Sequence, residues 1–249
     1  LIAVAVMMLC GSLSTNVRAG PDIPDHDYPS GKGAWHWHDD IIADKQLYYE
    51  IEYQIKSPDG MAINVRLLEI VNITGFENYI LDYQGPGQNF SSVICENLFL
   101  NASETPKTLM PSSGPYNSTM FNYNASRSAG EEAAVFMSPE NGQYVPVFLP
   151  VNGTRGVAKF DAALMEGIVG NLYHLFYTDF EILNQFDSSG NEAGENKIWF
   201  ENSSLGYYLN MTYYNNGTLK RADFNISTRM GENPEDMGLL TGYFNHVSD

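Results

Sequence analysis

The sequence predicts a mainly β protein, built of antiparallel sheets of the sandwich or curved-sheet type, with one packing helix near residues 160–173. Three observations carry this expectation. LYYEIEYQIKS, residues 47–57, and MAINVRLLEIV, residues 61–71, alternate apolar and polar residues around Pro58-Asp59-Gly60, as the two arms of a hairpin must. Asn215-Asn216-Gly217 separates two further alternating runs, and Asn-Gly in that setting is a strong hairpin signal. A single stretch, VAKFDAALMEGIVGNLYHLF, spaces Phe160, Leu164, Ile168, Leu172 and Leu175 about one helical turn apart.

Taken in order, the elements are as follows. GPDIPDHDYPSGKG, residues 20–33, is rich in Pro, Gly and Asp and reads as an extended arm that leads into the strand HWHDD, so that 20–46 forms an arm or linker. In the first hairpin, Leu47, Tyr49, Ile51, Tyr53 and Ile55 share one face and Tyr48, Glu50, Glu52, Gln54 and Lys56 the other. ENYILDY, SSVICENLFL, STMFNYNAS, AAVFMS and QYVPVFLPV read as further short strands bounded by Gly, Pro, Asn and Ser, and complete a β-rich half over 47–155. The helix opens a second half, 156–249, in which LFYTDFEIL, NKIWFEN and LGYYLNMTYY return to strands and TLKRADFNIST follows the Asn-Gly turn. The tail GENPEDMGLLTGYF is expected to hold a short helix. The two hairpins resemble each other, as two related halves would, although any two antiparallel hairpins look alike and one continuous domain fits equally.

Composition bounds the function. Of the 249 residues 43% are hydrophobic and 13% aromatic, ample for a core. Only 17% are charged, against roughly 25% in an average soluble protein. Thirteen Lys and Arg face 30 Asp and Glu, and a net charge of −17 repels phosphate backbones, which excludes nucleic acid as an expected partner. The opening LIAVAVMMLCGSLSTNVRAG reads as the apolar region and cleavage site of a secretory signal, residues 1–19, with cleavage after Ala19. That run falls short of the roughly 20 apolar residues of a spanning helix, and no later segment supplies them. Without residues 1–19 only Cys95 remains, in an apolar run, so no disulfide forms within the chain and Cys95 is expected as a small core residue.

Asparagine chemistry is the densest signal. N-x-S/T triplets occur at Asn72, Asn89, Asn101, Asn117, Asn124, Asn152, Asn202, Asn210, Asn216 and Asn225. With 23 Asn and 30 Ser plus Thr, random placement gives roughly three, so ten is an excess. On an exported chain these are acceptors for N-linked glycans. The competing reading is that Asn, Ser and Thr cluster in turns.

GAWHWHDD, residues 33–40, concentrates two of the three tryptophans and two of the five histidines. Period-two alternation places His36 and His38 on one face and Trp35 and Trp37 on the other. The histidine face, with His26 and Asp39, is a candidate ligand set for a divalent cation, the sole cofactor alternative to none. The tryptophan face is a candidate sugar platform or a pair of core anchors. Asp22, Asp25 and Asp27 with Asp39 and Asp40 offer oxygen ligands but no EF-hand pattern. G-x-S-x-G, P-loop, G-x-G-x-x-G and HExxH signatures are missing from the sequence.

The combination of an export signal, ten sequons, no disulfide, an acidic balance and a Y-x-x-N-G-x-L hairpin from Tyr213 to Leu219 resembles archaeal envelope glycoproteins. The likeness is one of composition along the chain, and the lack of disulfides sets it apart from most eukaryotic secreted domains. The resemblance implies a surface-layer, filament or extracellular binding component. The expected function is therefore a secreted, N-glycosylated, cell-surface protein with a non-catalytic structural role, its partners being its own glycans, other copies of itself or other envelope proteins. In that setting the arm and HWHDD strand would add to a neighbouring subunit. The alternatives are an extracellular module for a carbohydrate or apolar ligand, and a metal-dependent hydrolase built on His26, His36 and His38.

Overall fold

The computed structural model describes residues 18–19, 35–81, 87–104, 107–109, 117–126, 135–139, 147–152, 156–157, 186–192, 196–229 and 237–247. In chain order the strands are β1 Arg18–Ala19, β2 Gln46–Lys56, β3 Ala62–Leu81, β4 Gln88–Asn101, β5 Thr108–Leu109, β6 Asn117–Asn124 and β7 Val135–Pro139. They continue as β8 Val151–Asn152, β9 Gly156–Val157, β10 Ser188–Glu192, β11 Lys197–Asn202, β12 Tyr207–Tyr213, β13 Leu219–Arg229 and β14 Met237–Val247. The described residues contain no helix, and so none long and apolar enough to cross a membrane. The expected helix at 160–173 lies outside the described residues, as do LFYTDFEIL and the Pro/Asp arm up to residue 34.

One antiparallel sheet dominates, in the order β10-β11-β12-β13-β14-β2-β3-β4-β6-β7, with β1 on β3 and β5 on β4. The strands of each sequence half follow chain order, and the pairing of β14 with β2 fuses the two runs. The halves 47–155 and 156–249 are thus parts of a single sheet. The first hairpin is as the alternation requires: Leu47, Tyr49 and Ile51 are buried, Lys56 pairs with Ala62, and Gly60 takes φ +90° in the turn. β3 runs further than either of the segments read from sequence, because a bulge between Ile73 and Gly75 joins MAINVRLLEIV to ENYILDY in one strand.

The tail corrects the sequence reading. Met237–Val247 is no helix but β14, the strand that joins the halves. Its inner face reads Gly238, Leu240, Gly242, Phe244, His246, so glycine at two of the five positions weakens the apolar signal. Gly242 has a packing reason: a Cβ there would overlap the Glu52 carbonyl oxygen and come within 2.6 Å of the Tyr53 Cβ.

The inner face carries the core, with Tyr49, Val71, Val93, Phe121, Tyr123, Met211, Phe224 and Leu240 all buried. Two non-sheet segments seal it. Residues 35–41 bury Trp35, Trp37 and Ile41, and the Trp37 ring meets Tyr123 edge-on at 5.1 Å. Val147–Val151 lies between that segment and the β12–β13 turn. Val151 N donates to His36 O at 2.8 Å and His36 N to Val151 O at 3.0 Å, while Leu149 N donates to Gly217 O at 2.9 Å and Leu219 N to Val147 O at 2.8 Å. Phe148 then meets Phe121 edge-on at 5.3 Å. Each such ring withdraws about 150–250 Å² from water, which is what fixes these loops to the sheet.

Candidate functional site: the outer face of the sheet and a buried carboxyl

The stretch HWHDD packs on its own chain. Its one pairing is the bridge of His36 with Val151 of the same chain, and the backbone turns at Asp39-Asp40, with Ile41 N donating to His38 O at 2.8 Å. Trp35 and Trp37, at 4% and 9% exposure, are core anchors, so their faces are not offered to a sugar. His36 is half-buried, and His38 Nδ1 accepts the Asp40 N–H at 3.1 Å. Asp39 is exposed. Among the described residues no three His, Cys, Asp or Glu side chains gather as a metal site; His26, Asp22, Asp25 and Asp27 lie outside them.

The sequons separate into two kinds. Asn101, Asn124 and Asn216 each use Oδ1 to accept the N–H of their own sequon Ser or Thr, at 3.0, 2.9 and 3.1 Å. Asn202 accepts from Ser204 Oγ at 2.7 Å and Leu205 N at 3.2 Å. The first three are Asx turns and the fourth a related local cap, bonds that make Asn favourable where a strand ends or turns. Asn124 and Asn202 are buried as well, so the folded chain does not present their amides. Asn72, Asn89, Asn210 and Asn225 lie within strands and are half-buried. Asn225 is committed, its Nδ2 donating to Gly206 O at 2.8 Å and its Oδ1 accepting from Thr241 Oγ at 2.7 Å. Asn72 and Asn210 stand on the outer face, opposite the buried parity of β3 and β12, and among the described residues their side chains make no hydrogen bond. Asn117 and Asn152 begin β6 and end β8.

Asn210 belongs to a cross-strand ladder on that outer face: Gly190, Trp199, Asn210, Asp223, Tyr243, Glu52 and Arg66 stand side by side on seven successive strands. Arg221 clamps Asp223 with two nitrogens at 2.6–2.8 Å and lies 4.7 Å over the Tyr243 ring, whose hydroxyl donates to Glu52 Oε2 at 3.0 Å. The Asp223 carboxylate holds the guanidinium above its ordinary pKa, and the bond to Glu52 holds the Tyr243 phenol above its own. The next ladder continues the polar character, with Gln54 Nε2 donating to Asn64 Oδ1 at 2.8 Å. Sequence reasoning placed Trp199 in a strand but did not single it out; its parity against the buried Ile198 and Phe200 is the signal that puts it outside.

Sequence reasoning also missed Glu69. It faces inward on β3, between Tyr49 and Phe99, and is fully buried. Asn97 Nδ2 donates to its Oε1 at 2.6 Å, and its Oε2 has no hydrogen-bond partner. Burial disfavours the carboxylate and raises its pKa from 4.5 to about 8, against the pull of the Asn97 bond. The same dry surroundings raise the Tyr49 phenol, which donates to Leu219 O at 3.0 Å, and raise the nearby Cys95 thiol, with the Glu69 charge adding to both. A thiol this buried is inert. Ellman's reagent is therefore expected to find no thiol on the folded chain lacking residues 1–19 and one after unfolding; a fast native reaction would show that Cys95 is reachable. Glu69 and Cys95 are both closed to solvent, so neither can meet a partner in the folded chain. No protein-family model matches this chain, and neither do the curated proteins or solved structures with which it was compared.

Proposed function

We propose that this chain is a secreted, N-glycosylated protein of the cell surface with a non-catalytic, structural or assembly role. The observation that carries the reading is the placing of Asn72 and Asn210, both in N-x-T sequons, on an outer polar face with their amides uncommitted. A glycan joined there breaks no bond of the folded chain. The export signal read in residues 1–19 and the excess of sequons support it further. An assembly contact would be made by the outer face or by β7 and β10, which end the sheet among the described residues, since residues 35–41 are packed on their own core.

Site-by-site glycopeptide mass spectrometry on the chain exported from an N-glycosylating host tests this. Asn72 and Asn210 are expected to be occupied, and Asn124 and Asn202 empty. Absence of sugar from both Asn72 and Asn210 would overturn the glycoprotein reading. The assembly role is read by light scattering on the glycosylated chain, which is expected to show species larger than a monomer at high concentration.

A further inference from the structure

We propose that the glycan on Asn210 packs its first pyranose rings on the outer face of Trp199 and so covers β10, the last strand of the sheet among the described residues; the inference rests on the glycoprotein reading above. Trp199 is the one tryptophan of the three that stands outside the core, and it is half-buried. Its indole leans away from Asn210, over the bare backbone of Gly190: a Cβ on Gly190 would lie 2.7 Å from Cζ2 and 2.8 Å from Cε2. One face of the ring is thus spent on β10, while the half-buried side chain keeps part of its surface in solvent.

Asn210 is the direct cross-strand partner of Trp199, and directly opposed side chains start about 4.5–5.5 Å apart. A sugar leaving Asn210 has two flanks to choose between. Toward β13 stands Asp223, already clamped by Arg221, which in turn covers the Tyr243 ring. That flank is charge-satisfied, and Arg221 already occupies the Tyr243 ring. Toward β11 lies the indole. The C–H face of a pyranose carries slight positive charge and the face of an aromatic ring slight negative charge, so the two stack in an orientation that also removes apolar surface from water.

Direction and length then determine what is covered. From β12 to β10 is two strand spacings of about 4.8 Å, a distance that a di- or trisaccharide spans. Among the described residues β10 ends the sheet order, and its sequence SSGNE carries neither the proline nor the lysine with which outer strands commonly block pairing with another chain. A glycan lying over Trp199 and Gly190 supplies bulk at that edge.

The test is acrylamide quenching of tryptophan fluorescence on the exported chain, with Asn210 occupancy measured on the same sample. The comparison is with Thr212→Val, which removes the sequon but keeps Asn210 and a β-branched strand residue. Trp35 and Trp37 are buried in both forms, and Trp199→Phe identifies the quenchable component. The expected result is occupied Asn210 with Trp199 quenched severalfold less than in Thr212→Val. Occupied Asn210 with equal quenching in the two forms would overturn the stacking and leave the glycoprotein reading standing. Unoccupied Asn210 would overturn the stacking whatever the quenching shows, and the state of Asn72 then decides the glycoprotein reading separately.

Discussion

Glu69→Gln is expected to stabilise the protein at pH 8 by several kcal/mol and to change little at pH 4.5. The folded carboxyl titrates near 8 and the unfolded one near 4.5. Between those values the native state holds a proton that the unfolded state has released. Stability therefore falls as pH rises through this window, at up to about 1.4 kcal/mol per pH unit, and levels off above it. The whole window amounts to roughly 5 kcal/mol, of the same order as the net stability of many domains. Glutamine keeps the oxygen that accepts from Asn97 and has no proton to lose in this range. Urea midpoints of both proteins at pH 5, 6.5 and 8 measure the effect. The difference between the two curves isolates Glu69 from the general charge of −17, which affects both alike. Parallel curves would show that Glu69 is not the group responsible. Tyr49 and Cys95 face the same carboxyl, but their upward shifts move their titration out of the window.

Glu69 was legible in the sequence in a way that alternation counting passes over. In MAINVRLLEIV, parity puts Ile63, Val65, Leu67, Glu69 and Val71 on one face, an acid in an otherwise apolar row. The strand itself is plain from that row; what the row lacks is the identity of Asn97, which comes from β4 and tolerates the acid. The hairpins were legible for the same reason: alternation and a glycine at positive φ are both local. β14 was not, because the demand for Gly242 comes from Glu52 and Tyr53 on a strand nearly two hundred residues away in sequence. The continuity of β3 was hidden by its bulge, which shifts the register that a period-two reading relies on.

The same division runs through the candidate sites. Alternation separated the rings of HWHDD into two faces, and the tryptophan face is the buried one. Which face turns inward depends on Tyr123 and Val151, neither of which the octapeptide contains. The ten sequons mix two causes that a triplet count cannot separate. Asn101, Asn124 and Asn216 form Asx turns and Asn202 a related local cap, and in each the Ser or Thr two residues on is part of the turn. Asn72 and Asn210 end no strand and make no such bond, so turn chemistry does not account for them.

Gly217→Ala is expected to cost about 3–5 kcal/mol, and Gly60→Ala only about 1–2 kcal/mol, although both glycines sit in hairpin turns at nearly the same positive φ, +80° and +90°. The shared part is the strain of an L side chain in the left-handed region. The difference lies in what is beside them. A Cβ on Gly60 meets nothing within 4 Å, whereas on Gly217 it would overlap the Leu149 carbonyl oxygen and come within 3.1 Å of Val151 Cγ1. Backbone cannot rotate aside as a flexible side chain can, so the Val147–Val151 segment must move. Moving it loosens the bonds from Leu149 N to Gly217 O and from Leu219 N to Val147 O, each worth about 0.5–1.5 kcal/mol, and unseats Phe148 from Phe121. Since that segment also holds His36, the damage should spread to the packing of Trp37 on Tyr123. Paired urea titrations followed by near-ultraviolet circular dichroism read both effects. Equal losses for the two variants would mean that the Val147–Val151 segment does not depend on the close approach of Gly217, and that the halves are held together by the β14–β2 pairing alone.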